Sequence, residues 1–338
     1  MSKRRRSRAT STRPAQLARR QPPVALIVVG GLLLALGGLA LAWWLLRAPG
    51  AAALQGPGPM GGVTGCRTTP PFSNRLGYAD RLAISTTEPS YAGLVIFDGR
   101  VPLTAELPER DIHQEPSWDD AGTLGPFVLD RRGDIYTAPV PRTAVSDNPA
   151  GSQNTIYRVD GVSGELAPFV TLPGPPPGSA ENPFGILGLT YDCDTDVLYV
   201  STVAGSERQA ERGRILRVDL ATKAVTEEVV GIDGVGLAVF RSPSEKRLYV
   251  GLARSPEVGS VALDSAGHAT GEFRSDLSLD AAGAPFGEPR ARRISFDQAT
   301  MTVYVVPFSF TLRAVSEQQQ VVANFGYDVE RDGWVAFP

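Results

Sequence analysis

The chain has 338 residues and a formal net charge of −3, from 33 Lys and Arg against 36 Asp and Glu. Nine of the cations (Lys3, Arg4, Arg5, Arg6, Arg8, Arg13, Arg19, Arg20 and Arg47) fall in residues 1–47, which hold no acid; taking those nine from 33 leaves 24 cations against 36 acids beyond residue 47, a net of −12. An acidic bulk excludes a duplex nucleic-acid partner, which calls for a cationic face, and two cysteines exclude a Cys-rich zinc or disulfide scaffold.

The 42% hydrophobic content is enough for a packed core, and 36 Gly with 28 Pro call for many turns and few long helices. Residues 1–23 form a basic tail. Val24 to Leu46 is an uncharged run of 23 residues, VALIVVGGLLLALGGLALAWWLL. About 20 apolar residues cross a bilayer as a helix, which satisfies its own backbone hydrogen bonds and so tolerates the glycines. Trp43 and Trp44 stand at the far end, where aromatic rings favour the headgroup layer. The cations before the run place the N-terminus in the cytoplasm. The expectation is a single-pass cell-membrane protein whose partner is the lipid bilayer, with a periplasmic or extracellular head. Ala51-Ala52-Ala53 fits a small-x-small cleavage site, so the alternative is a long signal peptide. The run exceeds the roughly 7–15 apolar residues of such a peptide, which favours an uncleaved anchor. Val63-Thr64-Gly65-Cys66 resembles a bacterial lipoprotein box, but a spacer of 19 residues (47–65) separates it from the apolar run.

Residues 47–75 are rich in Gly, Pro and Ala and show no hydrophobic period, so they read as a flexible linker to a head over 76–338. Cys66 lies near the end of the linker and Cys193 far along the head. Outside the cytoplasm such a pair forms a disulfide, worth about 4–5 kcal/mol in the chain-entropy picture. The alternative is two unpaired cysteines, one buried and one exposed.

The head repeats. A short apolar strand, an acidic turn and a second strand carrying Tyr occur as Phe127–Asp130 with Ile135-Tyr136 and as Leu189–Asp192 with Leu198–Val200. They recur as Ala238–Phe240 with Leu248–Val250 and as Ile294–Asp297 with Val303–Val305. The tyrosines Tyr136, Tyr199, Tyr249 and Tyr304 are spaced by 63, 50 and 55 residues. A third-strand unit follows each pair as Ile156–Asp160, Ile215–Asp219, Val261–Asp264 and, in degenerate form, Leu312–Ser316. Each of these leads through a turn into a further extended stretch. β-Branched and aromatic enrichment supports strands throughout, and no helical period of helix length appears.

Four-stranded units in series define an all-β fold, a β-propeller. Asp80–Thr86 and Leu94–Asp98 match second and third strands. Phe325–Asp328 and Trp334–Phe337 match a first and second strand. The chain ends are therefore expected to pair and close the ring without a free edge. This gives five blades, or six if residues 107–124 conceal one, preceded by a single transmembrane helix and the Gly/Pro-rich linker.

The repeats resemble the NHL, YVTN and SMP-30/gluconolactonase group of β-propellers, through Tyr191-Asp192-Cys193-Asp194-Thr195-Asp196-Val197-Leu198-Tyr199-Val200 and Ile215–Thr222. The signals are those of a framework and speak to fold rather than activity. In the SMP-30-like hydrolases Glu, Asn and Asp hold a divalent cation at the mouth of the axial channel, and oxygen ligands suit Ca²⁺. By loop position that resemblance points to Glu115, Asn182 and Asp233, with Glu288 as a further ligand or base; no one-for-one motif match supports it.

Arg290 and Arg292 are two apart and share a strand face, with Arg293 adjacent, so they form a candidate anion site; the alternative is pairing with the acids of the head. Asp192-Cys193-Asp194-Thr195-Asp196 lacks the Gly and Glu of a calcium loop and reads as a hairpin turn. Only His113 and His268 are present, which excludes a His-rich metal site. No G-x-S-x-G, P-loop, haem or dinucleotide motif occurs. The preferred expectation is a binding or scaffold module, an extrinsic part of a larger membrane complex with a protein partner, and not an enzyme. The alternative is a metal-dependent lactonase-like hydrolase.

Overall fold

The chain divides into two compact units, Met1–Gly56 and Pro57–Pro338. The computed structural model describes residues 59–88, 90–101, 111–141, 152–176, 181–282, 287–307 and 320–337. The basic tail, the apolar run with Trp43 and Trp44, and the linker as far as residue 58 lie outside them. Among the described residues no helix is long and apolar enough to cross a membrane.

The described chain is all-β, built from five antiparallel sheets that fit propeller blades. The first sheet holds β2 (Leu82–Ser85) and β3 (Val95–Asp98). The second runs through β4 (Leu124–Leu129), β5 (Ile135–Pro139), β6 (Thr155–Val159) and β7 (Leu166–Thr171). The third runs through β8 (Ile186–Asp192), β9 (Val197–Thr202), β10 (Arg214–Asp219) and β11 (Val225–Val230). The fourth holds β12 (Gly234–Arg241), β13 (Lys246–Leu252), β14 (Glu257–Leu263) and β15 (Ala269–Ser278). The fifth holds β16 (Pro289–Asp297), β17 (Thr300–Pro307), β18 (Val321–Asp328) and β19 (Gly333–Ala336).

A burial gradient explains the sequence pattern. Strands β8 and β9 are buried on both faces, which is why Ile186–Asp192 and Val197–Thr202 read as nearly continuous apolar runs. The outer strand β11 is exposed or half-buried along its length and can carry Thr226, Glu227 and Glu228. Each sheet buries a face against the next. Leu94, Ile96 and Trp118 meet Leu124 and Ile135 between the first and second sheets. Tyr136 and Phe169 meet Tyr191 and Leu198 between the second and third. Tyr199 and Leu248 join the third to the fourth, and Phe240, Tyr249, Ile294 and Trp334 join the fourth to the fifth.

Polar bonds reinforce these faces. Lys246 on β13 reaches the fully buried Asp192 of the third sheet at 2.7 Å. The Tyr199 hydroxyl donates to the Gly267 carbonyl at 2.5 Å. The Arg131 Nε donates to the Tyr191 hydroxyl, which donates to Asp196. The acidic stretch at 192–196 is thus a hairpin: Asp192 accepts from the Asp194 amide and the Thr195 hydroxyl, and Asp196 takes φ +56°.

Two expectations are corrected. Phe325–Asp328 and Trp334–Phe337 do not form a first and second strand paired to the N-terminal strands. They fall in β18 and β19, the third and fourth strands of the fifth sheet, with β18 in register on β17 (Val303↔Ala323) and β19 on β18 (Tyr327↔Trp334). The degenerate unit at Leu312–Ser316 lies outside the described residues. Among the described residues no apolar cluster joins the fifth sheet to the first.

The second correction concerns the linker. Residues 60–68, read as its end, belong to the head and form a strap across one end of the second to fifth sheets. Strand β1 (Gly61–Gly62) pairs with Arg241 and Phe240 at the end of β12. The Val63 amide donates to Val239 O, the Cys193 amide to Val63 O, and the Thr68 amide to Asp130 O. Cys66 is joined to Cys193 by a disulfide. Gly62 lies so close to the fifth sheet that a Cβ there would stand 3.0 Å from Phe296. The short helix α1 (Pro71–Arg75) follows, with Phe72 buried.

Candidate functional site: an arginine-lined axial cavity

The innermost strands of the five sheets and the strap enclose a cavity of about 420 Å³. Ile84 to Thr87 line it from the first sheet, Gly125 to Val128 from the second, Leu187 to Thr190 from the third, Val235 to Val239 from the fourth and Arg292 to Phe296 from the fifth. Thr64 and Arg67 of the strap close its base.

Each of the four complete inner strands breaks register near its start. The interruptions fall between Leu124 and Phe127, Ile186 and Gly188, Gly234 and Leu237, and Ala291 and Arg293. At each, the inner strand carries one residue more than its partner. A bulge of this kind kinks the strand and re-aims a side chain. In β8 and β12 it brings glycine against the next sheet: a Cβ on Gly188 would lie 2.5 Å from Val235 O, and one on Gly236 2.6 Å from Ala291 O. In β16 the extra residue is Arg292.

The bulge turns Arg292 into the cavity, where its Nη1 donates to the Leu187 carbonyl of the third sheet at 2.7 Å. Burial holds its pKa below the ordinary guanidinium value, with no carboxylate opposing the shift. Arg67 enters from the strap. Its Nη2 donates to the Tyr191 carbonyl at 3.4 Å and to the Thr190 hydroxyl at 3.5 Å. Its Nε is buried without a hydrogen-bond partner. Burial first, and Arg293 second, bring its pKa down to about 10 against the opposing effect of Tyr191. Both guanidinium groups stay charged at neutral pH. Arg293 is exposed and lies over the Tyr304 ring, 5.6 Å from its centroid.

The structure separates Arg290 from Arg292. The Arg290 Nε donates to Ala253 O at 2.6 Å and its Nη1 to Pro289 O, outside the cavity lining. Burial lowers its pKa, opposed by Glu288 and Asp280. The β16 bulge breaks the simple alternation that puts residues two apart on one face. Arg67 carried no sequence signal of its own, because only the fold of the strap brings it beside β16.

The four oxygen-ligand candidates are not brought together. Glu115 lies between the isolated bridge of His113 to Ile96 on the first sheet and a turn that leads to β4, and accepts from His113 at 3.1 Å. Asn182 caps the loop before β8, donating to Val203 O and Ser206 O and accepting from the Phe184 amide. Asp233 is buried, accepts from the Ser206 hydroxyl and pairs with Arg254 at 2.6 Å. Glu288 is exposed at the start of β16. Among the described residues no three His, Cys, Asp or Glu side chains converge as a metal site.

No family model matches the chain. No curated protein matches it in sequence. Solved structures are similar at low identity. The N-terminal domain of Nup159 is 12% identical with a TM-score of 0.35, over 73% of this chain and 58% of that one. A calcium-binding regucalcin from Agrobacterium tumefaciens is 14% identical with a TM-score of 0.36, over 66% and 65%. An exo-1,5-alpha-L-arabinanase from a bovine ruminal metagenomic library is 12% identical with a TM-score of 0.34, over 62% and 76%. The chain spans less than two thirds of the first two. The assignment to an all-β protein of propeller-like sheets rests on the strand registers and shared cores.

Proposed function

We propose that this protein is a membrane-tethered binding module that presents its head outside the cytoplasm, with the axial cavity as its ligand centre. The observation that carries the reading is Arg292. An inner-strand bulge places a half-buried cation on the cavity wall, and the hydrogen bond it makes is to a carbonyl. A partly buried charge without a counter-charge is costly, and an anionic ligand would offset that cost. Arg67 and Arg293 also line the cavity, with aliphatic, glycine, proline, serine and threonine residues, Phe127 and Phe296, and its lining holds no His, Asp or Glu. Such a wall suits recognition better than proton transfer.

The apolar run 24–46 supplies the tether in this proposal. Docking on a protein of a larger membrane complex belongs to the same proposal. The test is thermal melting of the detergent-solubilised full chain against fractions of a small-molecule extract from the source cells. A fraction that raises the melting temperature of the native chain, but not of Arg292→Gln, is the expected result. No such fraction, or equal shifts in both chains, overturns it. Protease digestion of intact and opened cells checks the side on which the head lies.

A further inference from the structure

Arg67 and Arg292 stand in one cavity and neither has an acid within ion-pair range among the described residues. The two cations are held apart by their anchors on one strand. Arg292 is fixed at the Leu187 carbonyl, and Arg67 at Thr190 and Tyr191. Three to four residues of strand separate those points, about 10 Å or slightly more. The wall between them is largely aliphatic, from Leu187, Leu189, Leu237 and Val239. The Arg67 Nε has no partner and retains a free donor.

We infer that the cavity binds an extended organic dianion, a short α,ω-dicarboxylate with one carboxylate on Arg67 and the other on Arg292. Arg67 and Arg292 are each anchored to face one carboxylate, while Arg293 at the same wall adds positive charge beside the Tyr304 ring. The separation of the two anchors calls for a spacer, and Leu189, Leu237 and Val239 in the lining suit a short methylene chain. Guanidinium forks match carboxylates in geometry and remain charged when enclosed. A compact dianion such as inorganic phosphate reaches one guanidinium at a time. The inference rests on the axial cavity being the ligand centre and adds the chemical class of the ligand.

Arg67 acts here only because the strap is in place. The Cys66–Cys193 disulfide fixes the residue next to it over the cavity base, and the Cys66 amide meets the Cys193 sulfur at 3.2 Å. Removing the bridge is therefore expected to weaken binding without touching Arg292.

The experiment is titration calorimetry on the detergent-solubilised full chain with adipate, hexanoate, neutral adipamide and inorganic phosphate. Adipate is expected to bind, hexanoate at least about tenfold more weakly, and adipamide not at all. Losing one charged hydrogen-bonded contact costs enough for a tenfold change. Arg292→Gln and Arg67→Gln each weaken adipate binding by about tenfold or more. Arg292→Lys restores part of it, and Arg290→Gln leaves it unchanged. Circular dichroism and disulfide mapping check that each variant is folded. Equal binding of adipate and adipamide, binding of phosphate in place of adipate, or binding indifferent to both Gln variants overturns the inference. If adipate fails while an extract fraction still separates the native chain from Arg292→Gln in melting, the dicarboxylate assignment falls and the cavity reading stands. If both fail, both fall.

Discussion

Arg292 on the fifth sheet donates to the Leu187 carbonyl on the third sheet at 2.7 Å, spanning the axis past the inner strand of the fourth. Lys246, the cation that ties the fourth sheet to the third, is paired with an acid, Asp192. Arg292 is not. Replacing a buried, uncompensated charge by an apolar side chain of similar length removes a desolvation cost. Arg292→Met is expected to stabilise the ligand-free chain by up to about 1 kcal/mol, since the side chain is half-buried and partly screened. Urea unfolding measures this, and a loss of stability would show that Arg292 belongs to the frame.

The disulfide closes a loop with a sequence separation of 127. In the chain-entropy picture such a loop is worth about 5 kcal/mol. The Cys66→Ser, Cys193→Ser double variant should lose most of that. Amide exchange should rise at Val63 and Thr68, whose amides bond to Val239 and Asp130. Unchanged protection there would mean that the strap is held without the bridge.

Trp334 on the last strand is 4.9 Å from the Phe240 ring and 5.4 Å from Phe296, in the core between the fourth and fifth sheets. Trp334→Ala should cost about 3–5 kcal/mol. Phe337, three residues on and exposed, should tolerate Ala with little change. Comparable losses from both would place the C-terminal strand elsewhere.

Much of this fold was legible in the sequence, and the failures have physical causes. The repeated Tyr strands pack between sheets, so selection for shape left a period that can be read directly. The C-terminal strands were misassigned because Tyr327-Asp328 looks like Tyr191-Asp192. The distinguishing signal is the turn chemistry: Asp328 accepts from the amides of Glu330 and Arg331, as Asp160 does from Val162 and Ser163 and Asp219 from Ala221 and Thr222, all at third-strand ends. A left-handed residue four positions on (Gly164, Lys223, Asp332) is shared with the Asp192 turn, where Asp196 holds it, so the distinction lies in the second amide, which at Asp192 is replaced by the Thr195 hydroxyl. The strap was invisible because Gly61-Gly62-Val63 has no period and takes its strand partner from residues far along the chain. Glu115 is separated from the start of β4 by a turn over residues 116–121, and the isolated bridge of His113 to Ile96 holds the stretch before it against the first sheet.

Those turn aspartates give the fold an acid limit. Backbone amide bonds, from Ser163, Thr222 and His268 respectively, hold the carboxyls of Asp160, Asp219 and Asp264 below their ordinary pKa, with burial opposing. A carboxyl lowered on folding contributes stability above its unfolded value of about 4 and loses it as pH falls through the folded value. Asp219→Asn should therefore cost about 1 kcal/mol at pH 6, modest because the site is mostly exposed. The gap from the native chain should close below about pH 4. Urea midpoints at the two pH values test it; a gap that persists in acid contradicts the assignment.

Native mass spectrometry of the full chain, released gently from its own membranes, addresses the binding role most directly. A small anionic molecule should travel with the native chain and be absent from Arg292→Gln and Arg67→Gln, both folded. A native chain that flies at its bare mass, or a companion retained by both variants, would contradict the account.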